Sequence, residues 1–112
     1  MKNYVEMFYE NSIKKWDYIE HGKGVGSNLY HDKNSKIIKK LREMNRLNEL
    51  ETLLDCDKDS VLLEVASALL YLNNQRAIEV LIRLSEKKGS IYFTAKMNLQ
   101  NYYSKSDKNN EI

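Results

Sequence analysis

Apolar and aromatic residues recur at spacings of three and four between Tyr4 and Ile19: Tyr4, Val5, Phe8, Tyr9, Ile13, Trp16 and Ile19, with Ser12 among them. Glu6, Glu10, Lys14, Lys15 and Asp17 fall largely opposite. At 3.6 residues per turn these positions share one face, so the segment predicts an amphipathic helix with an aromatic stripe. The stripe stops at His21-Gly22-Lys23-Gly24-Val25-Gly26, where three glycines lower helix propensity and read as a flexible linker. Helical spacing resumes near Ser27 or Asn28 and reaches about Met44, with Leu29, Ile37, Ile38, Leu41 and Met44 inward and Tyr30 inward or at the edge. Asp32, Asn34 and Ser35 weaken the middle of this segment, which allows two shorter helices in its place.

A shorter pattern uses Leu47, Leu50, Leu53 and Leu54 and ends in the polar turn Asp55-Cys56-Asp57-Lys58-Asp59-Ser60. Asp57 or Asp59 is placed to cap the following helix. That helix carries Val61, Leu62, Val65, Ala66, Leu69, Leu70 and Leu72 with Glu64 as its one charge, a composition expected of an element buried on more than one side. Asn73-Asn74 marks a corner, and Ala77, Ile78, Val80, Leu81 and Leu84 predict the next helix, ended by Lys87-Lys88-Gly89. The last helix is expected over roughly Ser90 to Tyr103, with Ile91, Ala95, Leu99 and Tyr102 or Tyr103 inward. One domain over 1–104 results, with a polar, disordered tail over 105–112.

The second half repeats weakly. Leu62, Ala66 and Leu70 recur as Ile91, Ala95 and Leu99 at an offset of 29, and Leu54 and Ser60 recur as Leu84 and Ser90 at an offset of 30. Two similar helical pairs are implied, with small alanines permitting close approach. The fold class is all-α, with five to six helices in a short right-handed stack or an irregular bundle. Residues 47 to 102 resemble HEAT-type repeats through Leu50-x-x-Leu53-Leu54-x-x-Asp57, Val61 through Ala66-x-Ala68-Leu69, Ala77-x-x-x-Leu81-x-x-Leu84 and Ile91-x-x-x-Ala95. The chain departs from that pattern in lacking proline and in placing Leu62 where a basic residue often stands. With its long first helix, glycine-containing junction and Asn28 opening the next helix, it is also similar to a small bacterial family catalogued as domain of unknown function 2019. That resemblance implies a compact HEAT-like domain without an established catalytic set, found among genes that resemble toxin and immunity loci.

The 112 residues include 18 basic and 16 acidic side chains, and a formal charge of +2 does not by itself name a polyanionic partner. One cysteine and no signal-like N-terminal stretch make the cytoplasm the expected compartment. His21 and His31 lie in no metal-ligand spacing. The Asp55-Asp57-Asp59 run fails the calcium-loop pattern, with Ser60 and Ala66 where glycine and glutamate are required. Cys56 lies among carboxylates with no histidine nearby in sequence to activate it. The Gly22-x-Gly24-x-Gly26 run lacks the strand and the Lys-Ser/Thr ending of a phosphate loop. No catalytic residue, cofactor or metal is therefore expected, and the chain does not read as an enzyme.

Charge is concentrated in a basic ridge of Lys33, Lys36, Lys39, Lys40, Arg42 and Arg46, interrupted mainly by Glu43. Such a ridge suits an acidic protein partner, because a concentrated field speeds encounter and discriminates against like-charged competitors. Eight tyrosines exceed what the helical faces can bury, which makes Tyr30, Tyr92 and Tyr103 candidate anchors beside Lys36, Lys39, Lys40, Arg42 and Arg46. The expected function is a non-catalytic protein-interaction module, and the family resemblance suggests an immunity protein that neutralises a cognate toxin domain. Alternatives are a nucleic-acid-associated accessory protein using the basic helix, with Tyr30 stacking on a base, and a regulatory homodimer. No membrane partner is expected.

Overall fold

A computed structural model describes the backbone of residues 3–110 and the side chains of 3–105. The chain is all-α: α1 (Tyr4–Glu20), α2 (Gly24–Glu43), a 3-10 segment (Leu47–Asp55), α3 (Asp59–Leu69), a short 3-10 turn (Leu70–Leu72), α4 (Gln75–Ser85) and α5 (Ser90–Asn110). No strand occurs among the described residues.

Helix ends are fixed by local chemistry. The Asn3 side chain caps α1 by accepting from the Glu6 amide at 2.8 Å, and Asn74 caps α4 by accepting from Ala77 at 2.9 Å. Gly22, Asn45 and Asn73 stand at positive φ just past α1, α2 and the short 3-10 turn. At each, the following amide reaches back five residues, Lys23 to Tyr18, Arg46 to Leu41 and Asn74 to Leu69, and satisfies a carbonyl the helix leaves open.

α1 and α2 form an antiparallel hairpin. Its direction is visible in the pairs that meet across it: Ser12 with Asn34, Lys15 with His31, and Tyr18 with Tyr30. The 3-10 segment packs on α3, and α4 packs against both α3 and α5. Leu47, Leu50 and Leu53 are spaced by three, which three residues per turn align on one side; Leu47 and Leu50 are buried and Leu53 partly so. α3 touches α1, the 3-10 segment, α4 and α5, and Val61, Leu63, Val65, Ala66 and Leu69 are fully buried along it. Its near-uniform apolarity follows from being covered on several sides. The recurrence between residues 54–70 and 84–99 corresponds to two successive pairs, the 3-10 segment with α3 and α4 with α5.

Several local expectations are corrected. The glycine run is not a linker, because α2 already begins at Gly24 and only His21, Gly22 and Lys23 connect the helices. α2 is unbroken through Asp32, Asn34 and Ser35: Asn34 is turned into the interior and the Ser35 hydroxyl donates back to the His31 carbonyl. Leu29 and Met44 are exposed rather than inward, since the buried side of α2 runs along Ser27, Asn34, Ile37 and Leu41, and Leu72 is exposed at the end of the short 3-10 turn, past the end of α3. Neither Asp57 nor Asp59 caps α3, whose N-cap is Lys58, because the Asp59 carboxylate is drawn to Lys87 and Tyr92. α5 continues past Tyr103 to Asn110, and of the tail expected over 105–112, residues 111 and 112 lie outside the described residues.

Candidate functional site

The α1–α2 hairpin leaves a groove of about 450 Å³ along one side. Tyr4, Met7, Glu10 and Asn11 face it from α1, and Lys33, Lys36, Ile37 and Lys40 from α2. Met7 is 38% exposed at its floor and Ile37 is buried beneath. Lys33, Lys36 and Lys40 fall three and four residues apart and so form one stripe on α2. Lys33 stands 4.9 Å from the Tyr30 ring centroid, while Lys36 and Lys40 make no ion pair among the described residues. Glu10, the one carboxylate on the described wall, is itself engaged. Like charges at i and i+4 cost a helix a few tenths of a kcal/mol, roughly the amount an opposite pair contributes. The stripe therefore sets an excess of positive charge, three cations against one described carboxylate, above an apolar strip.

The remaining candidates separate from this stripe. Lys39 is exposed on another side of α2. Arg42 stacks on the Tyr71 ring at 3.7 Å, on the side of the molecule that carries α5 rather than the groove. Arg46 donates from Nε and a terminal nitrogen to both Glu49 oxygens at 2.5 and 3.0 Å, and this pairing holds the Glu49 carboxyl below its ordinary range and raises the guanidinium further. Tyr30 is half-buried, stacked on Tyr18 at 5.8 Å and approached by Lys14 and Lys33. Tyr103 is 46% exposed and tilted against Tyr102.

Tyr92 is tied down. Its hydroxyl donates to Asp59 Oδ2 at 2.8 Å, and Lys87 Nζ donates to the same oxygen at 3.0 Å. Partial burial raises the Asp59 carboxyl, but the Tyr92 and Lys87 hydrogen bonds and the charges of Lys87 and Arg83 outweigh it, so it lies below the ordinary aspartate value. The Asp59 hydrogen bond in turn raises both the Tyr92 hydroxyl and the Lys87 ammonium.

Polar locks hold the hairpin against the core. Glu64 accepts from Lys15 Nζ at 2.9 Å and from Trp16 Nε1 at 3.0 Å, joining α1 to α3. Lys15 also reaches His31 Nδ1 at 3.2 Å, which ties in α2. Ser12 donates to the Phe8 carbonyl and accepts from Asn34 Nδ2, leaving Asn34 Oδ1 buried without a hydrogen-bond partner among the described residues. Gly26 is the close-approach point of the hairpin, since a Cβ there would stand 2.5 Å from Tyr18 Cδ1.

His21 lies past the end of α1, its Nδ1 2.7 Å from the Asp17 carbonyl, and that contact raises its pKa. Cys56 is a free, partly buried thiol beside Asp55, which pairs with Arg76 at 2.6 Å. No group of three or more metal-ligating side chains gathers among the described residues, and no described helix is long and apolar enough to cross a membrane.

Sequence spacing singles out Lys36 and Lys40 but not the floor beneath them. Tyr4 and Met7, three residues apart at the start of α1, are the available signal, and Met7 is hidden by its place beside the aromatic stripe. No protein-family model matches the chain, and comparisons with curated proteins and with solved structures return no match.

Proposed function

We propose that the protein is a non-catalytic protein-interaction module whose α1–α2 groove takes an acidic, amphipathic segment of a protein partner. One observation carries this: Lys33, Lys36 and Lys40 line up beside the apolar strip of Tyr4, Met7 and Ile37, three cations against Glu10 as the one carboxylate among the described lining residues. A segment with apolar residues on one side and carboxylates at its edge would bury the strip and neutralise the stripe together. A nucleic acid would engage the lysines and leave the apolar floor uncovered, and Tyr30 is already stacked within the hairpin. The narrower proposal, an immunity protein that neutralises a toxin domain, has the resemblance to the domain of unknown function 2019 family as its only support.

The test is affinity capture from the native cell lysate with the wild-type chain and with a Lys36→Glu/Lys40→Glu variant, read by mass spectrometry. A stoichiometric protein that the variant loses, and whose acidic segment binds the purified chain in calorimetry, is the expected result. Salt-sensitive nucleic acid without a protein would put the accessory role first, and concentration-dependent mass in light scattering would favour the homodimer. Co-expression with neighbouring toxin-domain genes addresses the narrower proposal, which fails if neither protection nor a complex results.

A further inference from the structure

A second groove, of about 690 Å³, lies between the end of α3, the short 3-10 turn and α5, apart from the α1–α2 groove. Its described lining carries three amides, Asn73, Asn98 and Asn101, two tyrosines, Tyr71 and Tyr102, and the cation Lys105. The amides are half used. Asn98 Nδ2 donates to Ser67 Oγ at 2.8 Å, which leaves its side-chain oxygen as an acceptor. Asn73 Oδ1 accepts from the Tyr102 hydroxyl at 2.6 Å, which leaves its nitrogen as a donor. Asn101 is exposed and makes no hydrogen bond through its side chain among the described residues.

A donor, an acceptor and one amide offering both are the complement of a peptide main chain, which presents N–H and C=O alternately. Asn98, Asn101 and Lys105 fall at i, i+3 and i+7 on α5, a stripe about 10 Å long at 1.5 Å per residue. That length matches about three residues of extended chain. None of the described lining residues is acidic, and Lys105 stands at one end of the stripe. Arg42 adds a cation against the Tyr71 ring that borders the groove.

We propose that this groove binds an extended peptide through its main chain, with an acidic side chain or terminal carboxylate set against Lys105. The charge complementarity and the split donor and acceptor set favour this occupant.

A phage-displayed library of random linear peptides, selected on the full chain, provides the test. The expected result is enrichment of sequences with Asp or Glu. As synthetic peptides these should bind about tenfold more weakly to Asn101→Ala and to Lys105→Glu, since one or two hydrogen bonds or one charge contact are lost. Methylating alternate main-chain nitrogens of the peptide should abolish binding, while Lys36→Glu should leave it unchanged. Because Asn101 and Lys105 are exposed, both variants should fold, and their circular dichroism should match wild type. Peptides insensitive to Asn101→Ala and Lys105→Glu, or lost with Lys36→Glu, would overturn the assignment. So would an oligosaccharide or oligonucleotide that shifts the Asn73, Asn98 and Asn101 side-chain amide resonances when no selected peptide does.

Discussion

Replacing Gly26 with alanine should destabilise the protein, although alanine is the better helix former. Gly26 lies in the first turn of α2, and an added Cβ would stand 2.5 Å from Tyr18 Cδ1 and 2.7 Å from Cε1 and Cγ. Carbon atoms in contact settle at about 3.5–4.0 Å, so the ring must retreat by roughly 1 Å. Cγ is the root of the ring, so rotation about χ2 does not clear the clash, and the ring is held in its stack with Tyr30. Overpacking of this kind costs about 1–3 kcal/mol, against up to about 1 kcal/mol gained from helix propensity. The net expectation is a loss of about 1–2 kcal/mol. Gly24→Ala is the matched control, because no atom lies within 4 Å of its Cβ and it carries no positive φ; it should be neutral or stabilising by a few tenths of a kcal/mol. Urea unfolding followed by Trp16 fluorescence and far-UV circular dichroism measures both. A Gly26→Ala protein as stable as Gly24→Ala would refute the close approach. A double-mutant cycle with Tyr18→Ala should show coupling of about 1 kcal/mol.

Glu64→Ala should cost about 2–3 kcal/mol in urea unfolding, because Lys15 and Trp16 Nε1 lose their acceptor in a largely buried position; an effect under about 0.5 kcal/mol would show that the lock contributes little. Lys36→Glu should leave stability within about 0.5 kcal/mol of wild type, because the new carboxylate gains Lys40 one turn on but meets Asp32 one turn before, while partner binding weakens; a larger loss of stability would make the lysine stripe structural. Asp59 contributes stability that is fully present above about pH 4 and is lost as pH falls through its lowered folded value. Asp59→Asn should therefore flatten the acid side of a stability profile, and Tyr92→Phe should move the Asp59 carboxyl midpoint upward in an NMR titration; an unmoved midpoint would show that the hydrogen bond is not the cause.

The spacing of apolar residues by itself determined the all-α class, the placement of the helices and the central position of α3. These follow from local periodicity: Val61, Val65 and Leu69 must find cover because water excludes them, whatever covers them. The stops at Gly22 and Asn73 were also legible, since tolerance of positive φ is a property of the residue. Tertiary structure alone decided which faces meet. It turned Gly24 and Gly26 from a linker into the first turn of a helix, and it made Gly26 a packing requirement, since the Tyr18 ring occupies the space a side chain there would need. It placed Leu29 and Met44 outward by giving the hairpin seam to Ser27, Asn34, Ile37 and Leu41. It also divided one basic run among three fates, with Arg46 on Glu49, Arg42 on Tyr71, and Lys36 and Lys40 left beside an apolar groove. Charge and periodicity are properties of positions along one helix; neutralisation and exposure depend on what the other helices bring to it.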